Sequence, residues 1–443
     1  MDQASQPNTI LCPNKHINPE GSLRCDDCGL PVIDYKQEKT AFLKRMADKT
    51  IHIVPHINGI LIGTGTIGKQ IVTDFYNLYG SENSWVSFLN IDSIESANIT
   101  PEIKNKGVKF HQYEIGEIAM GGTIYCGRGE QAALQDRRLE SYLHLSGIRR
   151  EDANQAMFIT SALGGGTGSG VGPVVVNLCR TVNPDASIAA ITITPSRDEA
   201  DHTHLNAYYG LSRLLSFDLV INANMIVLLD YDRLRQIRGV GRSGEDLKTE
   251  KVAAYLLRLM ELNLYQSGII RMCRMSKGMK IQVFVPCLAI GRSMEIFGNL
   301  TNVLESAGIF PMAKVNMENV MASYLILRVP SGFAKHFPEG MVAKEFDDWN
   351  RRHVPSLSSS LVQILQTDEE SDRIDACIFL GGDNLSTAIG STINGYQEFK
   401  AYLEKSERWE ECGLTPEKLL KAEQTIASYD ETMQELRSNK TGA

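Results

Sequence analysis

Glycine fills five of the seven consecutive positions from Gly164 to Gly170, in the stretch SALGGGTGSGVGP. Glycines in succession let several backbone N–H groups converge on one oxyanion, because no side chain stands in the way. An apolar segment at 156–161 precedes them and a helical pattern follows, so the glycines are expected at the end of a strand. The stretch therefore predicts a cradle for the phosphates of a nucleotide. Its candidate ligands are Gly164, Gly165, Gly166, Thr167, Gly168 and Ser169.

A second glycine loop lies nearer the amino terminus. An apolar run at 57–62 predicts a strand, and the spacing G-x-G-x-x-G follows it before a helical pattern that starts at Lys69. Its glycines are Gly63, Gly65 and Gly68. The next predicted strand ends in Asp92, the type of residue that binds ribose in a Rossmann dinucleotide site, so these features alone favour an NAD-dependent oxidoreductase. The denser glycine stretch at 164–170 adds another phosphate cradle, and the two together favour a polyphosphate chain held from two sides.

Four metal-ligand residues cluster at the start of the chain. Cys12 and His16 are spaced C-x3-H, and Cys25 and Cys28 form C-x2-C followed by Gly29. Thiolate and imidazole ligands in this pattern suit tetrahedral Zn²⁺. Four protein ligands close the coordination sphere, so we expect a structural zinc ribbon that binds a protein partner.

The bulk composition limits the possible classes of protein. The chain has 443 residues, 43% of them hydrophobic, and a formal net charge of -8. This length predicts roughly two or three domains. The acidic balance argues against a broad nucleic-acid surface, and no apolar run is long enough for a membrane span. We expect a cytoplasmic protein that meets membranes only indirectly, and whose cysteines beyond the amino-terminal cluster are buried free thiols.

The stretch GGGTGSG resembles the phosphate loop of the tubulin/FtsZ superfamily. The resemblance covers roughly 53–274 in register and is looser beyond. It implies an α/β fold, with a Rossmann-type GTPase domain and a smaller α/β C-terminal domain. The zinc ribbon predicted from the Cys and His spacing would precede them. It also implies GTP or GDP with Mg²⁺, and assembly into protofilaments with nucleotide at the subunit interface.

The resemblance assigns roles to individual residues. It places Gly65 and Thr66 at the phosphates, and Gln70 near the base. Asn90-Ile91-Asp92 occupies the family's N-T-D position. Gly121 and Gly122 belong to a third loop that closes over the terminal phosphate. Pro195 and Glu199 fall at the family's proline and ribose-binding glutamate.

Two departures from the family pattern affect base recognition and hydrolysis. Tyr231 replaces the asparagine that pairs with guanine, and tyrosine can stack on a purine but lacks paired amide donors and acceptors. The loop after the central helix, which supplies catalytic acids to the next subunit, corresponds to Ser267–Lys277. Arg271, Cys273 and Ser276 stand at the acid and asparagine positions, and no Asp or Glu lies between Glu261 and Glu295.

Three interpretations of this acid-free loop remain. The protein binds nucleotide without turning it over, or alternates with a second tubulin/FtsZ-like subunit that carries the acids, or uses an acid from elsewhere such as Glu245 or Asp246. The leading hypothesis is a GTP-binding cytoskeletal protein that forms filaments and hydrolyses GTP weakly by itself. The alternative is a monomeric nucleotide-binding regulator that recruits a partner through its zinc ribbon.

The predicted order along the chain has six parts. They are a zinc ribbon at 1–34, a linker at 35–52, a nucleotide-binding domain at 53–245, a central helix at 246–266, a C-terminal domain at 267–395 and C-terminal helices at 396–443.

Overall fold

The structure is a computed structural model in two compact units, residues 1–55 and 56–443. It describes residues 9–11, 16–19, 59–79, 86–93, 110–115, 124–148, 155–218, 220–237, 239–240, 246–247, 249–262, 268–367 and 373–441. None of the helices in these ranges is both long and apolar enough to cross a bilayer.

The first unit contains a short antiparallel hairpin. Strand β1 (Thr9–Leu11) pairs with β2 (Ile17–Pro19), with Leu11 opposite Ile17. His16 directly precedes β2, is half-buried, and its carbonyl accepts a hydrogen bond of 2.9 Å from the Asn18 side chain. The other predicted zinc ligands, Cys12, Cys25 and Cys28, lie outside the described residues, so the zinc ribbon stays a prediction.

The second unit contains the remaining described strands. They are β3 (Gly59–Thr64), β4 (Val86–Ser93), β5 (Phe110–Ile115), β6 (Ala156–Ala162), β7 (Ser187–Thr194), β8 (Ser216–Phe217), β9 (Val220–Ile221), β10 (Met225–Asp230), β11 (Gly239–Val240), β12 (Asp246–Leu247), β13 (Val283–Ser293), β14 (Ala322–Pro330), β15 (Ser359–Thr367) and β16 (Arg373–Gly381).

The second unit also contains the described helices. They are α1 (Gly65–Tyr79), α2 (Cys126–Gln135), α3 (Leu139–Leu145), α4 (Gly166–Val182), α5 (Asp201–Leu215), α6 (Tyr231–Leu234), α7 (Glu250–Leu262), α8 (Gly268–Met279), α9 (Met294–Phe297), α10 (Leu300–Gly308), α11 (Glu339–His353), α12 (Leu385–Ala388), α13 (Gly390–Ser406), α14 (Trp409–Cys412) and α15 (Pro416–Thr441). Two 3₁₀ segments, Met317–Asn319 and Ser331–His336, flank β14.

Ten of the described strands form one sheet in the order β15-β14-β16-β13-β10-β7-β6-β3-β4-β5. The strands from β5 across to β13 are parallel, and β16 runs antiparallel to both β13 and β14. All residues of β3 and β7 are buried, as expected for strands covered by helices on both faces. The α/β architecture expected from the sequence is therefore confirmed.

Two hydrophobic clusters fill the unit. The larger one packs α1, α4, α5 and α7 against the parallel strands. The smaller one packs α10 and α11 against β13, β14 and β16, with Trp349 and Phe346 stacked in its centre. This second cluster gives the carboxyl-terminal part of the sheet a core of its own.

The carboxyl-terminal helices pack on the body of the unit. The ring of Tyr396 on α13 stacks on Tyr208 of α5 with centroids 4.0 Å apart. The Tyr429 hydroxyl of α15 accepts a hydrogen bond of 3.2 Å from the backbone N–H of Val283. These helices therefore connect α5 with the amino end of β13.

The described cysteines agree with the sequence prediction of buried free thiols. Burial raises the pKa of Cys126, Cys179 and Cys273 above the ordinary thiol range. These thiols are therefore protonated and unreactive at neutral pH. The six buried free cysteines are Cys126, Cys179, Cys273, Cys287, Cys377 and Cys412.

Several element boundaries differ from the sequence predictions. The helix predicted from Lys69 begins at Gly65, and the helix predicted over Val171–Arg180 begins at Gly166. The glycine stretch is therefore mostly the first turn of a helix. Within the predicted central helix, 246–266, Asp246–Leu247 forms a strand, and the described helix spans Glu250–Leu262. The segment predicted as a loop after it is the helix α8.

Candidate functional site

The glycine-rich segments meet at one edge of the sheet. Because β3, β4, β6, β7 and β10 are parallel, their carboxyl ends share that edge. The register pairs Thr64 with Ser161, Ala162 with Ile193, and Asp230 with Thr194. The residues that follow these strands therefore line one crevice, the usual position of a ligand in an open α/β sheet.

Helix α4 presents its amino terminus to this crevice. Gly165 is the N-cap, with φ -88° and ψ 150°, and no side chain caps the helix. A Cβ built on Gly165 would have no atom within 4 Å, so this position faces open space. The first backbone N–H groups of a helix lack intrahelical partners and carry partial positive charge, which together favour an anion such as phosphate.

The two glycine segments lie against each other. Gly65 has φ +70°, a left-handed conformation that glycine adopts without strain, and it begins α1. A Cβ on Gly65 would lie 2.9 Å from the backbone nitrogen of Gly168. The amino termini of α1 and α4 therefore converge, which supports the prediction of two loops that hold one polyphosphate.

Other glycines of these segments are needed for packing. A Cβ on Gly68 would overlap the Thr160 carbonyl oxygen, and one on Gly168 would overlap that of Ala162. A Cβ on Gly63 would lie 2.6 Å from the Gly68 carbonyl oxygen. The Ser169 hydroxyl donates a hydrogen bond to the Leu163 carbonyl, which ties the first turn of α4 to the residue that precedes the glycines. These residues keep α1 and α4 close to the strand tips.

Asp92 is paired within the protein. Its Oδ2 lies 2.9 Å from the Lys69 ammonium, and both side chains are 7% exposed. The Thr66 hydroxyl donates to the same oxygen at 3.4 Å, and the Ser93 N–H donates to Oδ1 at 2.9 Å. A ribose or metal at Asp92 must compete with Lys69, which sequence reasoning did not anticipate.

Pro195 and Glu199 lie beside Gly164. A Cβ on Gly164 would be 3.3 Å from Glu199 Oε2 and 3.5 Å from the Pro195 side chain. Glu199 Oε1 accepts from the Ser196 N–H at 3.0 Å, which closes the turn between β7 and α5. The structure thus brings this predicted ribose-binding turn next to the predicted phosphate segment.

Asp232 joins the 195–199 turn to α6. It accepts from the Ser196 hydroxyl at 2.6 Å and from the Arg197 N–H at 3.1 Å. Partial burial by itself would raise the pKa of Asp232, but these hydrogen bonds outweigh burial and hold that pKa below its usual value. Asp232 therefore stays ionised and fixes the turn that carries Glu199.

The residues predicted near the base are also placed. Tyr231 begins α6, is half-buried, and has the Arg235 guanidinium 5.8 Å from its ring centroid. Gln70 donates to Asp74 on α1 at 2.9 Å. Gly121 and Gly122, predicted to close over the terminal phosphate, lie outside the described residues.

Asn206 is a buried residue of this region that sequence reasoning missed. It lies on α5, is 0% exposed, and its Nδ2 donates to the Ile124 carbonyl at 2.7 Å and to the Gly164 carbonyl at 2.8 Å. Its Oδ1 accepts from the Cys126 N–H at 2.8 Å. The available signal was weak, namely an asparagine inside an amphipathic helix, where that residue type is disfavoured.

The acid-free segment is helix α8, and its two faces differ. Cys273 and Ser276 are buried, and the Ser276 hydroxyl donates to the Met272 carbonyl at 2.7 Å. Arg271, Arg274 and Lys277 are exposed one helical turn apart. Of the residues that stand at the family's acid and asparagine positions, Cys273 and Ser276 are therefore turned into the core and Arg271 faces outward.

The end of α8 lies at the opposite edge of the sheet from the glycine segments. It leads through Gln282, which donates to the Leu215 and Ala223 carbonyls, into the amino end of β13. A cavity of about 460 Å³ opens there between α5, α8 and α15, lined in part by Lys277, Lys280 and Lys421. This cavity is remote from the glycine crevice and is separate from the candidate nucleotide site.

Part of this chain matches a known protein family. Residues 58–239, which carry both glycine segments, match the model described as "Tubulin/FtsZ family, GTPase domain". The fold is that of the tubulin/FtsZ family.

Curated proteins named FtsZ and CetZ are similar in sequence to part of this chain. The cell division protein FtsZ of Haloferax mediterranei is 31% identical over 166 residues, 35% of this chain and 40% of the relative. The tubulin-like protein CetZ of Pyrococcus horikoshii is 25% identical over 183 residues, 41% of this chain and 46% of the relative. The chain thus spans less than half the length of these curated relatives.

A solved structure has the same fold over a larger share of the chain. CetZ2 from Haloferax volcanii, described as a GTPγS-bound protofilament, superposes with a TM-score of 0.60. The superposition covers 78% of this chain and 99% of CetZ2, at 16% sequence identity. At this identity the likeness concerns the fold alone.

Proposed function

We propose that this chain binds GTP or GDP, with Mg²⁺, in the crevice between the amino termini of α1 and α4. The observation that carries the proposal is Gly165, an uncapped helix N-terminus that faces open space beside the second glycine segment. The backbone N–H groups hold the phosphates, and Glu199 next to Gly164 is placed to meet the ribose. The match of residues 58–239 to the family's GTPase domain supports guanine as the base.

Tyr231 is the proposed base contact. It replaces an amide side chain, so it recognises the base by stacking on its face. Stacking discriminates poorly among purines, since each purine presents a similar aromatic face. Competition of GTP against ATP for the same site measures this, and a strong preference for GTP would require a further contact to the guanine edge.

We propose that nucleotide binding drives head-to-tail assembly, with the nucleotide between subunits. In such a stack opposite faces of neighbouring subunits meet. The glycine crevice lies at the carboxyl edge of the sheet, and the end of α8 with its exposed basic residues lies at the amino edge. Arg271 or Arg274 of one subunit would then face the phosphates of the next, where guanidinium groups bind well. The protofilament form of CetZ2 supports this arrangement by analogy.

Hydrolysis is weak or absent in the chain alone. The exposed residues of α8 are basic, and a guanidinium or ammonium group cannot act as the general base for an attacking water. If this chain alternates with a second tubulin/FtsZ-like subunit, that subunit would supply the missing acidic side chains.

Sedimentation and phosphate release test assembly and hydrolysis together. The protein is pelleted over a concentration series with GTP, GDP or no nucleotide, and phosphate is measured in parallel. We expect GTP-dependent pelleting with slow phosphate release. Binding without pelleting at any concentration would favour the monomeric regulator, and fast release that rises with concentration would contradict the hydrolysis proposal.

We further propose a zinc ribbon at the amino terminus that recruits a protein partner. The hairpin β1–β2 supports it, because Cys12 follows β1 and His16 precedes β2, which puts these two ligand types at the two ends of one short connection. Elemental analysis is expected to find one zinc per chain, lost in Cys25→Ser. A metal content unchanged by this substitution would contradict the ribbon.

A further inference from the structure

We propose that the cavity between α5, α8 and α15 is a second ligand site, which binds a small organic anion with an apolar body. Its volume of about 460 Å³ lies within the range of pockets that hold small molecules. Asn224 and Gln282, which directly precede β10 and β13, line it. The site is thus at the amino edge of the parallel strands, and the proposal does not depend on nucleotide binding.

The charge of the cavity favours an anion. Among the described residues that line it, every charged side chain is basic: Lys277 on α8, Lys280 directly after α8, and Lys421 on α15. Within the described part of the chain, the acidic partner of this group is the exposed Asp218, whose Oδ1 lies 3.5 Å from Lys421 Nζ. Like charges around one cavity repel each other, so an anion among them is stabilising.

Two buried polar side chains of the lining offer hydrogen-bond donors. The Asn224 Oδ1 already accepts from the Arg180 guanidinium and from the Ile188 N–H, which leaves Nδ2 as the remaining donor. The Tyr429 hydroxyl accepts from the Val283 N–H at 3.2 Å and keeps its own hydrogen to donate. Burial raises the pKa of Tyr429, so this hydroxyl stays protonated at neutral pH. Both groups complement an oxyanion.

Apolar side chains form another part of the lining. Leu215 lies at the end of α5 and Ile221 lies on β9. Ile221 is 49% exposed, so part of its apolar surface is in contact with water and is available to a ligand. Covering such surface is favourable, which an inorganic ion cannot do. The lining therefore suits an anionic group joined to an apolar body.

The backbone of Lys280 supports the assignment. Its N–H donates to the Lys277 carbonyl at 3.3 Å, and the Ile281 N–H donates to the Ser276 carbonyl at 3.0 Å, the Schellman pattern that ends many helices. Lys280 has φ +59°, the left-handed conformation in which glycine is the usual residue. A side chain here costs stability, and strained residues of this kind cluster at ligand sites.

Two variants remove single ammonium groups, and two others are matched controls. Lys280→Gly also relieves the backbone strain, so this variant should fold, and Lys277→Gln changes an exposed position. Glu407→Gly relieves the same kind of strain at the end of α13, where φ is +55°. Lys344→Gln removes one exposed charge on α11. Neither control residue lines the cavity.

The experiment is a calorimetric titration with octanoate below the assembly concentration. Octanol, with a similar chain and no charge, and acetate, with the charge and almost no chain, are titrated in parallel. We expect one octanoate per chain, bound at least about tenfold more tightly than octanol or acetate. Lys280→Gly and Lys277→Gln should each weaken octanoate about fivefold, and the two controls should bind like the wild type. Added salt should weaken octanoate as well.

Several results would overturn the proposal. Octanoate that does not saturate, or that binds no better than octanol, would contradict an anion site. Unchanged affinity in folded Lys280→Gly and Lys277→Gln proteins would show that the probe binds elsewhere, and either variant alone decides this if the other does not fold. Displacement of octanoate by GTPγS would place the probe in the glycine crevice. A wild type that binds octanoate and no nucleotide would refute the nucleotide proposal alone.

Discussion

The substitution Gly165→Ala is expected to change nucleotide affinity while leaving the stability of the fold nearly unchanged. The backbone of Gly165 has φ -88° and ψ 150°, which alanine adopts freely, and its Cβ would meet no atom within 4 Å. Alanine is a poorer N-cap than glycine, but it also reduces the entropy of the unfolded chain. These effects oppose each other, so we expect a change below about 1 kcal/mol in the free energy of unfolding.

The effect on nucleotide binding should be much larger. The new methyl group would occupy the space from which an anion approaches the first N–H groups of α4. The loss of one hydrogen bond to a charged group costs about 1.5–3 kcal/mol. At about 1.4 kcal/mol for each factor of ten, affinity should fall roughly 10- to 100-fold.

The assay is an equilibrium titration with GTPγS below the assembly concentration, with unfolding in urea measured on the same samples. Gly340→Ala is the matched control, because Gly340 lies on the exposed start of α11 and also has no atom within 4 Å of its Cβ position. The control should bind like the wild type. If Gly165→Ala is stable and binds within about twofold of the wild type, the assignment of the α4 amino terminus to phosphate is wrong.

Three further predictions follow from the contacts around the crevice and α8. Lys69→Met should lower the free energy of unfolding by about 3–5 kcal/mol, because it leaves Asp92 buried without its partner; urea unfolding measures this, and adding Asp92→Asn should recover part of the loss. The lowered pKa of Asp232 means that its contribution to stability is present above the unfolded pKa near about 4 and is lost as pH falls through the lower folded pKa; the melting temperature of Asp232→Asn should therefore depend less on pH in that acidic range. Cys273→Asp should destabilise the protein far more than Arg271→Asp, because Cys273 is 1% exposed and Arg271 lies on the exposed face; equal melting temperatures would show that α8 is turned differently.

The sequence contained enough to predict where the crevice lies. Apolar runs before each glycine segment are buried strands, and their parallel pairing brings Gly65 beside Gly168. The start of α4 at Gly166 could not be predicted from the sequence, since glycine disfavours helix. The structure shows instead that Gly168 packs so closely against the Ala162 carbonyl that no side chain would fit there.

Other features depend on contacts between distant segments. The faces of α8 are set by the core that receives Cys273 and Ser276, which an alignment to a loop motif cannot reveal. The edge strand β15 was not predicted, because many of its side chains are only half-buried and its polar residues hide the pattern. Asn206 was missed because its partners Ile124 and Gly164 are 82 and 42 residues away.

The central claim is that backbone N–H groups at the amino termini of α1 and α4 hold a guanine nucleotide. Calorimetric titration of the wild-type protein with GTPγS and Mg²⁺ tests it most directly. We predict saturable binding of one nucleotide per chain, which GDP displaces and NADH does not. A titration with no saturable binding, or one in which NADH displaces the ligand, would contradict the account.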